Sequence, residues 1–239
     1  MQAISRVAKI LRALDGEHDG LSLSDLSARS GLPRSTVHRL VTALQAEGLV
    51  AQASPNGRTR LGPELVRLAM SSRQGLRKDF HPYMEELFSQ LDETIDLSVL
   101  EGDRVRFIDQ ITADHPLRAV SAVGKLFPLH CSANGRILLA ELPVEQRREL
   151  LRGKLESFTQ NTVTDRAKVL EAVEQAAADG VAITREEITE GLCAAAVALH
   201  DPFGGVAAIS VVAPTIRFNR SEDEIVGALR EVKHRASGA

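Results

Sequence analysis

The chain has 239 residues, room for two domains of ordinary size. Residues 1–62 carry eight Lys and Arg against five Asp and Glu, and the remainder 21 against 27; a basic head on an acidic body fits a nucleic-acid module joined to one that does not bind nucleic acid. No apolar run approaches the ~20 residues of a membrane span, no secretion signal opens the chain, and Cys131 and Cys193 form neither a disulfide framework nor a metal-ligand spacing, so a cytoplasmic protein without cofactor or metal is expected.

Residues 4–14 predict a first helix whose stripe is Val7, Ile10, Leu11 and Leu14. Ser24 is expected to cap a short helix that buries Leu26. Gly31 supplies the left-handed turn and Pro33 the fixed φ at the start of the next helix. There Val37, Leu40, Val41 and Leu44 form a buried stripe, opposite Arg34, Ser35, Thr36, His38 and Arg39. That face is polar and basic, as a helix lying in a major groove must be. Leu49–Ala51 and Arg58–Leu61 read as two short strands around an Asn56-Gly57 turn, a wing whose Asn56, Arg58 and Arg60 reach phosphate or the minor groove. The alternative is a plain helical domain with a solvated basic face; stripe, turn and wing together favour DNA.

Pro63–Met70 predicts a connecting helix with Leu65, Leu68 and Ala69 as its stripe, suited to pairing two subunits. A second helix turns Tyr83, Met84, Leu87, Phe88 and Leu91 inward. Strands are expected at 95–100, 105–111, 117–123, 181–185, 194–200 and 206–212. Helices are expected at 133–142, 145–151, 165–178 (capped by Thr164) and 222–235 (capped by Ser221). Hairpins beside helices, without strict alternation, indicate an α+β domain with a mainly antiparallel sheet. The expected organisation is a winged helix-turn-helix over 1–62, a helical linker over 63–74 and an α+β domain over 75–239.

Five stretches, GLPRSTVHRLVTALQAEGLV, TRLG, HPLRAVSAVGKLFPLHCSANGRILLA, REE before EGLCAAAV, and VAAISVVAPTIRF, occur in an order and spacing that resemble the IclR family of transcriptional regulators along nearly the whole chain. The resemblance implies a GAF-like effector-binding second domain, a palindromic double-stranded DNA operator, repressor action, and dimers or dimers of dimers. It further implies small-molecule effectors, often organic or aromatic acids. Carried over by position, the effector site comprises Phe127, Ala133, Asn134, Thr184, Leu192, Ala194, Ser210 and Val212. The residues themselves agree in part, because Ser132–Gly135 begin a helix whose free N–H groups suit a carboxylate. Helix capping without a ligand accounts for the same residues. Where keto-acid-binding members of the family show Ser-x-Ser-Gly-Pro, this chain has Ser210-Val211-Val212-Ala213-Pro214. The lost hydroxyl points away from small keto-acids and towards a larger or more apolar acid.

Catalysis is not expected. His130 adjoins Cys131, but neighbours on a strand face opposite ways, and no phosphate loop, metal cluster or nucleophile elbow is present. A regulator that senses oxidants through Cys131 and Cys193 is the alternative function.

Overall fold

Helix α1 (Gln2–Ala13) buries Ile10, and Leu14 is buried just beyond its end. Helix α2 (Leu23–Ser30) starts at Ser22, two residues before the expected cap. Ser22 Oγ accepts from Asp25 N, and the Asp25 carboxylate accepts from Ser22 N, both at 3.2 Å. This reciprocal box needs an acid or amide three residues after the cap; Ser24 would meet only Ser27 there. Gly31 then adopts φ +67 and donates to Ser27 O, which turns the chain into α3 (Arg34–Ala46). Val37, Val41 and Leu44 are buried with Ile10, Leu21, Leu26 and Val50, while Leu40 packs at the edge of this core. Strands β1 (Val50–Gln52) and β2 (Thr59–Leu61) pair antiparallel, and the Leu21 backbone bridges to Thr59.

The computed structural model describes residues 2–17, 19–53, 57–119, 123–202 and 204–237. The chain falls into two compact units, 1–74 and 75–239. The division lies inside helix α4 (Pro63–Leu91), a single helix where two were expected. Gly75 and Pro82 are poor helix residues, but Leu76, Phe80, Met84 and Leu87 bury against the sheet and offset that penalty.

The second unit is built on strands β3 (Thr94–Glu101), β4 (Arg104–Ile111), β5 (Leu126–Pro128), β6 (Ala182–Arg185), β7 (Leu192–His200) and β8 (Val206–Pro214), ordered β5-β4-β3-β8-β7-β6 and antiparallel at every junction. Its helices are α5 (Ala133–Ala140), α6 (Val144–Leu150), α7 (Arg166–Asp179) and α8 (Thr215–Ser237). Alternation along the strands sorts the side chains. Ile95, Leu97, Ile209 and Val211 pack with Met84 and Leu87 of α4 and with Phe218 and Leu229 of α8. On the opposite face Phe107, Ala196, Ala198 and Ala208 meet Ile137 and Leu138 of α5 and Val169 and Val173 of α7.

Three expectations are corrected. Described residues 117–119 form a loop, not a strand, and the third strand lies at Leu126–Pro128 (residues 120–122 are outside the description). Side chains claim the carbonyls a ladder would need: Arg217 Nη2 donates to Leu117 O at 3.0 Å and Thr94 Oγ1 to Ala119 O at 2.9 Å. Asp165, not Thr164, caps α7, since its Oδ1 accepts from both Ala167 N and Lys168 N. Ser221 sits at a kink inside α8 with φ −118 and ψ 18, so a helical turn already precedes it.

Candidate functional site

The first unit presents one polar face. Arg34, Ser35, His38 and Arg39 are exposed on α3, Thr36 is half-buried, and Val37 and Val41 between them face the core. Arg60 is exposed on β2. Arg58 differs from the expectation. It is half-buried, and its Nε donates to Gly20 O at 3.0 Å and to Asp19 O at 3.2 Å, which fastens the wing to the loop before α2. Asn56, expected at the wing tip, lies outside the described residues.

The second unit holds a half-open cavity of about 110 Å³ between the sheet, the start of α5 and the loop before β7. It brings together Phe127, Ala133, Asn134, Thr184, Leu192, Ala194 and Val212 of the eight expected residues. Ser210 is not on its surface. It sits one step along β8 from Val212 on the same face, wholly buried, and its Oγ has no hydrogen-bond partner among the described residues. Such a group costs roughly 1–3 kcal/mol.

Ser132 caps α5, accepting from Gly135 N at 3.0 Å while donating to Pro128 O at 2.7 Å. Gly135 is required there, since a Cβ would lie 2.3 Å from Leu129 O. This close seat aims the first turn of α5 at the cavity, its positive dipole end forward. Asn134 Nδ2 donates to Ser98 Oγ at 2.9 Å, so part of its expected binding capacity already serves the sheet.

Sequence reasoning missed several walls. Phe107 stacks edge-on with Phe127, centroids 4.8 Å apart at 79°. Cys131, Glu187, Ile188, Thr189 and Cys193 also line the space, and Asp96 reaches it from β3. Asp96 had a legible signal: an acid inside the apolar run IDLSVL is out of place unless it has a partner. Its Oδ1 accepts from Gln110 Nε2 at 2.7 Å. Glu187 pairs with Arg136 Nη2 at 2.6 Å, both nearly fully buried, and Arg136 Nε donates to His130 O. This pair ties the loop before β7 to α5.

The cysteine chemistry is subdued. His130 and Cys131 lie in a bend between β5 and α5, not on a strand. His130 Nε2 contacts Glu156 O in a separate hollow. Burial holds the His130 imidazole below its ordinary value. Burial, reinforced by Glu187, pushes the Cys131 thiol up to about 12, far from a reactive thiolate. Among the described residues no helix is long and apolar enough to cross a membrane.

A winged helix-turn-helix with an exposed polar and basic face, followed by an α+β unit with a cavity of its own, fits a DNA-binding regulator of the effector-responsive class. Comparison with known proteins agrees. Residues 3–54 match the IclR helix-turn-helix domain and residues 68–237 the bacterial transcriptional regulator IclR C-terminal family. The HTH-type transcriptional regulator Rv1719 of Mycobacterium tuberculosis is 46% identical over 229 residues, 96% of this chain and 88% of that one. The transcriptional repressor IclR of Escherichia coli is 30% identical over 235 residues, 96% of this chain and 86% of that one. The crystal structure of an IclR homolog complexed with 4-hydroxybenzoate from Microbacterium hydrocarbonoxydans superposes with a TM-score of 0.64 at 26% identity, covering 99% of both chains. The chain belongs to the IclR family of transcriptional regulators, DNA-binding proteins and not enzymes.

Proposed function

We propose that this protein is a cytoplasmic repressor that binds a pseudopalindromic operator as a homodimer or dimer of dimers and responds to a small organic or aromatic acid. In this reading residues 1–62 are the DNA-binding head, 63–74 a helical linker and 75–239 the effector domain. Arg34, Ser35, Thr36, His38 and Arg39 face the major groove, and Arg60 and the wing tip at Asn56 face the backbone. The observation that carries the reading is the cavity: its phenylalanines offer an apolar slot, and the first turn of α5 offers N–H groups and a dipole to a carboxylate. The relative named as a repressor and the homolog holding 4-hydroxybenzoate support it. One head covers only a half-site, so a symmetric pair is needed for useful affinity; Leu65 and Leu68 of α4, half-buried and exposed, are the proposed pairing stripe. The alternative of a cysteine redox sensor fits poorly with the buried, protonated Cys131.

Three measurements test the proposal. Selection from random duplexes is expected to enrich one inverted repeat, and a thermal-shift screen is expected to find organic acids that raise the melting temperature. No sequence preference overturns the DNA assignment. A monomer in sedimentation at micromolar concentration, with and without DNA, overturns the assembly.

A further inference from the structure

The cavity proposed for an acid has walls of the same charge as its ligand. Among the described residues that line it are two carboxylates, Asp96 and Glu187, and no Lys, Arg or His. Asp96 is engaged with Gln110 across the ladder. Glu187 is 7% exposed, and Arg136 draws it to the first turn of α5, the turn whose N–H groups suit an anion. The charged and titratable groups around Glu187 are Arg136 of α5, His130 and Cys131 of the bend before it, Asp96 of β3, Cys193 of β7 and Glu186 beside it. Arg136 is the one cation of this set, and it is committed, through Nη2 to Glu187 and through Nε to His130 O. Burial disfavours charge on both His130 and the Cys131 thiol, so neither offsets a further anion. A carboxylate seated beside a buried one is held when the two share a proton, because like charges at short range cannot both ionise.

Resting on the acid-effector reading above, we propose that the effector enters its cavity together with one proton, shared between the ligand's carboxyl group and Glu187. A free aromatic acid is ionised near neutral pH, as a side-chain carboxyl is, so the proton comes from solvent. The complex then holds one more proton than its separated parts, and rising pH drives it apart. Affinity falls by about tenfold per pH unit where the uptake is complete. The regulator therefore reads the acid and the acidity together, and answers a given concentration of acid most strongly at the lower pH.

Calorimetry on the full-length chain with benzoate, phenylacetate and 4-hydroxybenzoate tests this. Titration at one pH in two buffers of different ionisation heat counts the protons, and titration at about pH 6 and about pH 8 gives the slope. The acid that binds is expected to take up about one proton and to bind roughly a hundredfold more weakly at the higher pH. Glu187→Gln removes the second carboxylate and leaves Arg136 to the ligand. It is expected to bind the same acid with no proton taken up and equally well at both pH values. Binding without proton uptake by the wild type overturns the inference and leaves the acid reading intact. So does an uptake that persists in Glu187→Gln. Binding by none of the three acids at either pH overturns the acid reading and the inference together. If Glu187→Gln does not fold, the wild-type count and Asp96→Asn decide: that variant is expected to keep the uptake, and its loss there overturns the role of Glu187.

Discussion

Arg39 and Arg58 are equivalent in the sequence, two arginines on a basic head, and the fold separates them. Arg39 is exposed on α3, whereas Arg58 Nε is spent on the carbonyls of Asp19 and Gly20. Arg39→Ala should weaken specific operator binding by about 1–3 kcal/mol, the worth of one arginine reading a guanine, with the melting temperature unchanged. Arg58→Ala should instead lower the head's stability by about 1 kcal/mol, read as an earlier denaturation midpoint. Equal melting of the two variants would reject the distinction. Cys131 gives a second test at this scale. Its thiol is held protonated to about 12, while the unfolded thiol ionises near its ordinary 9.0. The native chain then keeps a proton that the unfolded chain releases, so this contribution is full below pH 9.0 and is lost as pH rises towards about 12. Between about pH 8 and about pH 10 the wild type should lose more stability than Cys131→Ala, measured by denaturant midpoint. Parallel losses would contradict it. Such roles were not legible in the sequence, because they depend on which carbonyl or wall the fold carries to each side chain.

At the scale of elements the sequence was most readable where signals were local. Gly31, Pro33 and the stripe Val37, Val41, Leu44 follow from turn chemistry and a 3.6-residue period, and all stand in the structure. Over the described residues 117–119 the expected strand gives way to a loop, where Thr94 and Arg217, distant in sequence, take the carbonyls of Ala119 and Leu117. Asp96 and Glu187 reach the cavity from separate strands and loops, which periodicity cannot foresee. The same non-local logic ties the cavity to α4. Asp96 accepts from Gln110, and the adjacent Asp109 emerges on the other face of β4, where Arg77 Nε lies at 3.0 Å and His81 Nδ1 at 2.7 Å. Burial pushes the Asp109 carboxyl up, but its bonds to Arg77 and His81 more than reverse this and leave it below 3.8. Its stabilising contribution is thus present above that pH and lost as pH falls through the lowered value. Asp109→Asn should loosen the grip of β4 on α4. Effector affinity should stay within about threefold, while the effector's influence on operator binding drops by about fivefold or more, the lower range of a coupling energy. Equal responses in fluorescence-anisotropy titrations would remove Asp109 from the route.

For the whole molecule, an effector changes DNA binding only through unequal affinity for two states of the protein. Linkage then fixes a symmetry: the factor by which effector alters operator affinity equals the factor by which operator alters effector affinity. Ser210 allows stability and response to be separated within this scheme. Its Oγ has no partner among the described residues to lose, so Ser210→Ala removes a buried unsatisfied group and should hold or raise the melting temperature. Operator affinity without effector should be unchanged, since Ser210 lies in the second unit and β8 keeps its backbone pairing to β3 and β7. If Ser210 serves the effector response, as its position in the family pattern implies, that response should nevertheless fall, and by the same factor in both directions of titration. Asn134→Leu is a harsher companion, because it also severs the bond to Ser98 and should lower stability along with response. A Ser210→Ala protein that melts later yet answers the effector as fully as the wild type would place the polar anchor elsewhere, with the DNA-binding role proposed for α3 untouched by that result.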